Sequence, residues 1–182
     1  MTTKNERAAF RKLQEYQRRS EAFEPDNSAS GGHSTEWSGV TFALRDFRLA
    51  CNIENVHEII PIPGVTPVPG SKKWILGLAN VRGNLMTLVD FGWYLHGERT
   101  KITPHTRLLA IGSQKSPVGL LVDEVFGQRH FLSSDAHEAK IPEDSSLKGL
   151  VQNEHRLGSE SWQELDLEQL FNSREFLNGA AT

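Results

Sequence analysis

The sequence predicts an all-β fold of small barrels, with only minor helices. Short apolar runs recur along the chain, separated about every ten residues by turn-forming residues. In segment 77–90, two apolar runs meet at Gly83-Asn84, a pair suited to a tight hairpin turn. Both faces of the second run are apolar: Leu85, Met86, Leu88 and Val89. A strand of this kind is expected to lie between two packed layers or barrels.

Length and composition limit what the chain can be. Its 182 residues allow one domain plus an extension, or two small intertwined lobes. The formal net charge of −3 gives no reason to expect a nucleic-acid partner. No apolar run approaches the roughly 18–20 residues of a membrane span, and the N-terminus lacks the apolar region of a signal peptide. We therefore expect a soluble cytoplasmic protein without direct membrane insertion.

The chain is predicted to contain three parts. Residues 1–23 form a basic, weakly amphipathic helical extension, because apolar residues recur at three-residue spacing among basic ones: Phe10, Leu13 and Tyr16. Residues 24–35 have the Pro, Ser and Gly content of a flexible linker, and the folded domain spans 36–178. Two interpretations of the extension stay open. It packs on the domain or frays, or it contacts an acidic partner or an anionic membrane.

The first half of the domain contains two predicted strands, 40–44 and 47–53, joined by a polar turn at Arg45-Asp46. Residues 54–60 fit either a helical turn or a strand end. Residues 61–70 carry four prolines and must form a stiff extended loop, since proline removes backbone donors. This loop is either a pinned surface connection or a rigid segment that presents its apolar residues to a partner: Ile62, Val65 and Val68.

The remaining elements follow from similar patterns. Residues 71–76 are predicted to form one helical turn, and Phe91–His96 a short helix that ends at Gly97. Strands are predicted at 107–111, 118–126, 128–132, 147–151 and 162–167, with a turn over 112–117. Residues 133–146 are polar and irregular, and a C-terminal helix starts within 167–171.

No catalytic site is supported by the sequence. It contains no nucleophile elbow, P-loop, dinucleotide-binding glycine pattern, H-E-x-x-H or paired-cysteine motif. The S-x-x-K at 145–148 lies in an irregular acidic stretch and lacks companion motifs. The single cysteine, Cys51, lies in a strand-like run and is expected to be a core residue rather than a nucleophile.

Acidic and histidine residues add no catalytic or metal chemistry. Asp123 and Glu124 are adjacent, so they point to opposite faces of a strand and cannot form a general acid/base pair. Three further residues match no fixed spacing of metal ligands: His130, Asp135 and His137. We therefore expect no enzymatic activity, no cofactor and no metal.

Five motifs in one order resemble the CheW family of chemotaxis coupling proteins. They are V-H-E-I at 56–59, V-P-G at 68–70, G-L-A-N-V-R-G at 77–83, L-V-D at 88–90 and V-G-L-L-V-D-E-V at 118–125. The resemblance covers about residues 36–178. Within the family, W-S-G near Trp37 and the V-D-E-V-F-G-x-x-H-F run through Phe131 resemble the PilI branch, which serves chemosensory systems for type IV pili and twitching motility.

The resemblance implies a fold, a role and partners. The fold would be two SH3-like five-stranded barrels intertwined around a shared core. The role would be that of a non-catalytic adaptor that bridges the cytoplasmic tip of a methyl-accepting chemoreceptor to the regulatory domain of a CheA-like histidine kinase. Such adaptors are cytoplasmic, associate with membrane-bound receptor arrays and join higher-order assemblies.

The resemblance also suggests which residues contact partners. The family pairs a glutamate and an arginine on its recognition surface, and these match Glu58 and Arg82. Family positions linked to receptor or kinase contact match Val56, Gly119 and Val125. These five residues are the predicted protein-binding site.

One stretch departs from the family, and two alternatives remain. Near the C-terminus the family is strongly apolar, whereas this chain has S-W-Q-E-L-D-L, so Gln163 and Glu164 predict a frayed or rearranged edge strand. The first alternative is a CheW-like adaptor of flagellar chemotaxis. The second is a small-barrel nucleic-acid-binding module, which would need an aromatic and basic face.

Overall fold

Eleven strands form two sheets in the computed structural model, which describes residues 36–113 and 116–180. The first sheet contains β1 (Glu36–Leu44), β2 (Phe47–Asn52), β8 (Glu124–Leu132), β9 (Ala136–Glu138), β10 (Val151–Leu157) and β11 (Glu160–Leu165). The second contains β3 (Val56–Ile60), β4 (Ile75–Val81), β5 (Asn84–Asp90), β6 (Arg107–Ser113) and β7 (Ser116–Val122). The predicted N-terminal extension (1–23) and linker (24–35) lie outside the described residues.

The two sheets are intertwined along the chain. The first has the order β8-β1-β2-β11-β10-β9 and the second β3-β6-β7-β5-β4. All strands of the second sheet lie between β2 and β8 in sequence, so the first sheet is completed only after the second has been built. The prediction of an all-β fold of paired SH3-like barrels is confirmed, except that the three-residue β9 gives the first sheet a sixth strand.

Strands with two apolar faces supply three separate cores. Even-numbered residues of β1 such as Phe42 enter a large core shared by the two sheets. Trp37, at an odd position of β1, packs against a smaller cluster that contains Phe131 and Trp162. Side chains of the second sheet fill a third cluster around Leu88. Each barrel therefore has its own interior, and the shared core joins them.

The central hairpin β4–β5 has the predicted two-sided burial, but only from Met86 onward. Met86 enters the core of the second barrel and Val89 enters the shared core. Leu85 is 64% exposed, so the prediction that both faces are buried is wrong at that position. The turn comprises Arg82-Gly83 rather than Gly83-Asn84, because Asn84 already pairs with Val81 as the first residue of β5.

The proline-rich loop 61–70 is extended and contains no strand, as predicted. Thr66 exchanges two backbone hydrogen bonds of 2.8 Å with Leu78 of β4. Ile62 and Val65 are partly buried against the core of the second barrel. These contacts favour the interpretation of a pinned connection, and the loop protects the outer edge of β4 from pairing with other chains.

The described chain has three short α-helices: α1 (Phe91–His96), α2 (Leu167–Asn172) and α3 (Arg174–Leu177). The helices predicted at Phe91–His96 and from within 167–171 are confirmed, as is the predicted end of α1, where Gly97 has φ 72° and its N–H donates to the carbonyl of Trp93. The Asp90 carboxylate caps the start of α1. Among the described helices, none combines the length and apolar character needed to cross a membrane.

Several predicted elements differ from the structure, including residues 133–146, which were expected to be irregular but contain β9. Residues 71–76 form a hydrogen-bonded turn instead of a helical turn, and strand β4 starts at Ile75. The strand predicted over 118–126 breaks at Asp123, where the chain passes from the second sheet to the first. Residues 147–150 form turns around an isolated bridge from Lys148 to Val151, and β10 begins at Val151. Apolar runs indicate burial, but a run that serves two sheets does not show where the chain changes sheet.

The polar C-terminal strand is not a frayed edge. β11 lies inside the first sheet, between β2 and β10. Its Glu164 accepts hydrogen bonds from Asn153 Nδ2 at 3.0 Å and lies 2.9 Å from Nε2 of His155, which is buried. The prediction that Gln163 and Glu164 mark a frayed or rearranged edge strand was wrong, because polar side chains of the neighbouring strand β10 provide hydrogen-bond partners for the Glu164 carboxylate.

Candidate functional site

The turn of the β4–β5 hairpin holds Arg82 in a strained backbone conformation. Arg82 has φ 52° and Gly83 has φ 86°, so both turn residues are left-handed, as in a type I′ turn. Gly83 donates its N–H to Asn80 Oδ1 at 2.8 Å. Asn-Gly suits this turn best, and a left-handed arginine costs about 1 kcal/mol. Selection for stability alone would not favour arginine here, which indicates that the side chain has another use.

The Arg82 guanidinium, at the end of one edge strand of the second sheet, pairs with Glu58 on the other edge strand. Arg82 Nη2 lies 2.6 Å from Glu58 Oε1, and β4 and β3 are the outermost strands of that sheet. The Arg82 side chain is 78% exposed and that of Glu58 28%. Such a pair adds about 0–1 kcal/mol to stability. It orients a charged group at the tip of a rigid barrel, where most of the guanidinium is available to a partner.

The other three predicted binding residues do not lie beside this pair. Val56 is opposite Ile111, whereas Glu58 is opposite Ala110, so the irregularity between them turns Val56 to the shared core. Val125 belongs to the first sheet and packs on the same core. The structure therefore brings together only Glu58 and Arg82, and partner contact at the other positions stays a prediction.

Gly119 is buried in β7 and has no room for a side chain. A Cβ at this position would lie 2.8 Å from Leu88 Cδ2 and 3.0 Å from Met86 Sδ. We expect Gly119→Val to lower the free energy of unfolding by about 2–3 kcal/mol, because overfilling a packed core forces its neighbours to move. Chemical denaturation checks this value. If partner binding is lost while stability is unchanged, Gly119 acts at the surface and this account is wrong.

An apolar groove lies between the second sheet and the C-terminal helices, and the sequence interpretation missed it. It has a volume of about 640 Å³. Its lining includes Trp74, Val118 and Leu177, and no acidic or basic residue lines it. Because these residues come from distant segments, no local pattern could have revealed the groove. Its chemistry suits apolar side chains rather than acid–base catalysis.

The residues considered for catalysis or metal binding have other contacts. Lys148 pairs with Glu143 at 2.8 Å, and His130 lies 3.3 Å from Glu36. Within residues 36–113 and 116–180, no three His, Cys, Asp or Glu side chains are placed to hold a metal ion. Burial raises the pKa of the Cys51 thiol to about 12, so the thiol stays protonated in the core and is a poor nucleophile.

Comparison with known families and proteins supports the resemblance to the CheW family that the sequence motifs indicate. The family model of the CheW-like domain matches residues 38–175. The chain is 32% identical over 115 residues to PilI of Pseudomonas aeruginosa, a match that covers 63% of this chain and 65% of that protein, just under two thirds of its length. It is 28% identical over 127 residues to FrzA of Myxococcus xanthus, covering 70% of this chain and 79% of FrzA.

More distant relatives extend the comparison to solved structures. The chemotaxis protein CheW of Thermotoga maritima is 25% identical over 124 residues, which covers 67% of this chain and 82% of that protein. The crystal structure of the scaffolding protein TtCheW from Thermoanaerobacter tengcongensis superposes with a TM-score of 0.67 at 18% identity. That superposition covers 78% of this chain and 96% of TtCheW, so the two share a fold.

Proposed function

Because this chain belongs to the CheW-like domain family, we propose that it is a non-catalytic adaptor of chemosensory signalling. It would couple the cytoplasmic tip of a methyl-accepting chemoreceptor to the regulatory domain of a CheA-like histidine kinase, so that the state of the receptor biases kinase autophosphorylation. The family match over residues 38–175 and the relatives that are scaffolding and chemotaxis proteins support this role. Its place of action would be the cytoplasm, beside membrane-bound receptor arrays.

The observation that carries this proposal is the exposed Glu58–Arg82 pair on a strained hairpin tip. A bidentate guanidinium is a strong and directional group for recognising a carboxylate or carbonyl of a partner. In this account the ion pair with Glu58 fixes the arginine in place before binding. Preorganisation lowers the entropy lost when the complex forms.

The pathway we propose is the one that controls type IV pili and twitching motility. The similarity to PilI, together with the W-S-G and V-D-E-V-F-G motifs, supports this choice. Matches to several proteins named CheW keep flagellar chemotaxis as the alternative. A twitching assay on a strain that lacks the protein separates the two: loss of twitching with normal swimming supports the pilus pathway, and the reverse contradicts it.

We expect Arg82→Glu to weaken binding of the partner that docks at the hairpin tip, the kinase or the receptor, by at least about 100-fold, because the new carboxylate repels both Glu58 and the acceptor group of that partner. The melting temperature should change little, since an exposed pair contributes about 0–1 kcal/mol. Co-precipitation of the purified partners, together with thermal denaturation, measures both quantities.

The matched control is Lys148→Glu. Lys148 also forms an exposed ion pair, at 2.8 Å with Glu143, so its reversal changes the net charge equally. Normal binding by this control and weak binding by Arg82→Glu support a specific recognition surface. Equal loss in both variants, or unchanged binding in Arg82→Glu, contradicts the proposed role of the pair.

A further inference from the structure

The loop between α1 and β6 is held rigidly against the barrels. In this loop (97–106), Glu98 receives two hydrogen bonds of 2.9 Å from the Arg45 guanidinium, through its carboxylate and its carbonyl. Thr100 donates its hydroxyl to the buried Asp90 at 2.6 Å and its N–H at 3.0 Å. Thr106 is buried and accepts the N–H of Thr103 at 2.8 Å. The first half of the loop is thus anchored to the barrels, and its second half is held by hydrogen bonds within the loop and by the buried Thr106.

Between these contacts the loop exposes two cationic side chains. Arg99 and Lys101 are exposed, and no carboxylate of the described residues forms an ion pair with either. The Arg99 guanidinium stacks over the Trp93 ring, 4.6 Å from its centroid, which fixes the plane while leaving N–H donors at the edge. The only acid in the loop, Glu98, is neutralised by Arg45. This positive surface is a local exception in a chain of net charge −3.

An apolar side chain lies beside these cations. Ile102 follows Lys101 and is 61% exposed, one of the most exposed large hydrophobic residues of the described chain. Stability does not require an isoleucine at that position, since its side chain is mostly in solvent. A cationic pair beside an exposed aliphatic residue on a rigid loop is the complement of a partner segment with carboxylates next to an apolar residue.

The loop lies at the opposite end of the second sheet from Arg82. Strand β5 begins after the Arg82 turn and ends at Asp90, which anchors Thr100. Strand β6 starts at Arg107, directly after the loop. Seven residues of strand span roughly 20 Å, so partners at the two ends need not overlap.

We propose that loop 97–106 is a second docking surface, which binds an acidic protein segment carrying an apolar residue. This inference rests on the proposed adaptor function, because an adaptor needs two separate surfaces for two partners. Arg99 and Lys101 contact carboxylates, and Ile102 packs against the apolar residue. An anionic membrane is a poorer fit, since the whole protein is acidic and the loop offers a single exposed aliphatic side chain.

The test uses full-length protein and isothermal titration calorimetry with two probes, the kinase regulatory domain and the receptor cytoplasmic fragment. The double variant Arg99→Glu/Lys101→Glu should weaken one partner by at least about tenfold and leave the other within about twofold. Ile102→Ser should weaken the same partner. Wild-type affinity for that partner should fall as salt rises, because exposed charges are screened. The control Lys72→Glu/Lys73→Glu changes the net charge equally at another exposed site and should bind normally.

Any other result contradicts the proposal that loop 97–106 is a docking surface for a protein segment. If the loop variants bind both partners normally, or lose binding only as much as the lysine control, the loop is not a docking surface. Vesicles containing phosphatidylserine provide the membrane test: vesicle binding that the loop variants abolish, with normal protein binding, assigns the loop to a membrane instead. Wild-type protein that binds neither partner contradicts the adaptor function itself, a result distinct from failure of the loop variants.

Discussion

Arg82→Asn is expected to keep or raise the melting temperature while weakening binding of the partner that docks at the hairpin tip on the order of 100-fold. Asparagine tolerates the left-handed conformation that Arg82 adopts at φ 52°, so the turn gains up to about 1 kcal/mol. Loss of the exposed pair with Glu58 removes a similar or smaller amount. The partner loses a charge-assisted contact, which is worth a few kcal/mol in an interface. Thermal denaturation and calorimetric titration measure the two effects.

Arg45→Asn is the matched control for stability. Arg45 is also left-handed, with φ 53°, in the turn between β1 and β2, but its guanidinium holds Glu98 through two hydrogen bonds. Its replacement should therefore lower the free energy of unfolding by about 1 kcal/mol. If Arg82→Asn is destabilised as much as Arg45→Asn, Arg82 has a structural role. If Arg82→Asn still binds both partners normally, Arg82 is not a recognition residue. Either result contradicts our interpretation.

Gly77→Ala is expected to destabilise the protein by about 3–5 kcal/mol. Gly77 has φ 142°, a region that side chains rarely allow, and its added Cβ would overlap the Thr66 carbonyl. Relief requires Thr66 to leave β4, which breaks its two backbone hydrogen bonds with Leu78. The melting temperature should fall by roughly 10 °C. Differential scanning calorimetry measures the loss.

Gly64→Ala tests whether the effect is specific to the contact. Gly64 lies in the same proline-rich loop, and a Cβ there would meet nothing within 4 Å. Alanine at this position should be neutral or slightly stabilising, since it restricts the unfolded chain. If both variants lose stability equally, the loop responds to any substitution and the pinning contact is not the cause. A mild effect of Gly77→Ala would show that the contact between the proline-rich loop and β4 contributes little to stability.

Local sequence patterns correctly predicted the structural elements that depend only on residues close together in the chain. The β1–β2 hairpin follows from two apolar runs around Arg45-Asp46, and the end of α1 follows from Gly97. The absence of catalytic motifs and the ordered CheW-like motifs were also visible along the chain. The Glu58–Arg82 pair, by contrast, came from the resemblance to a family, because a strand residue and a turn residue that are distant in sequence form it.

Errors occurred where a residue's environment comes from elsewhere in the chain. Glu164 suggested a frayed edge, yet His155 on β10 accommodates it inside a sheet. The run 118–126 suggested one strand, yet Asp123 donates its N–H to Ala43 and marks the passage between sheets. The type I′ turn lies one residue earlier than predicted, because the pairing of Val81 with Asn84 sets the hairpin register.

The amino-acid sequence alone determined the fold class, the strand-rich pattern and the family, because backbone preferences and apolar periodicity act over a few residues. Assembly of the two barrels determined the rest. It assigned the apolar strand faces to three cores and packed Val56 and Gly119 against them. It also left Arg82 at one end of the second sheet and the cations of loop 97–106 at the other. These features depend on contacts between residues distant in sequence, so they exist only once both sheets have closed.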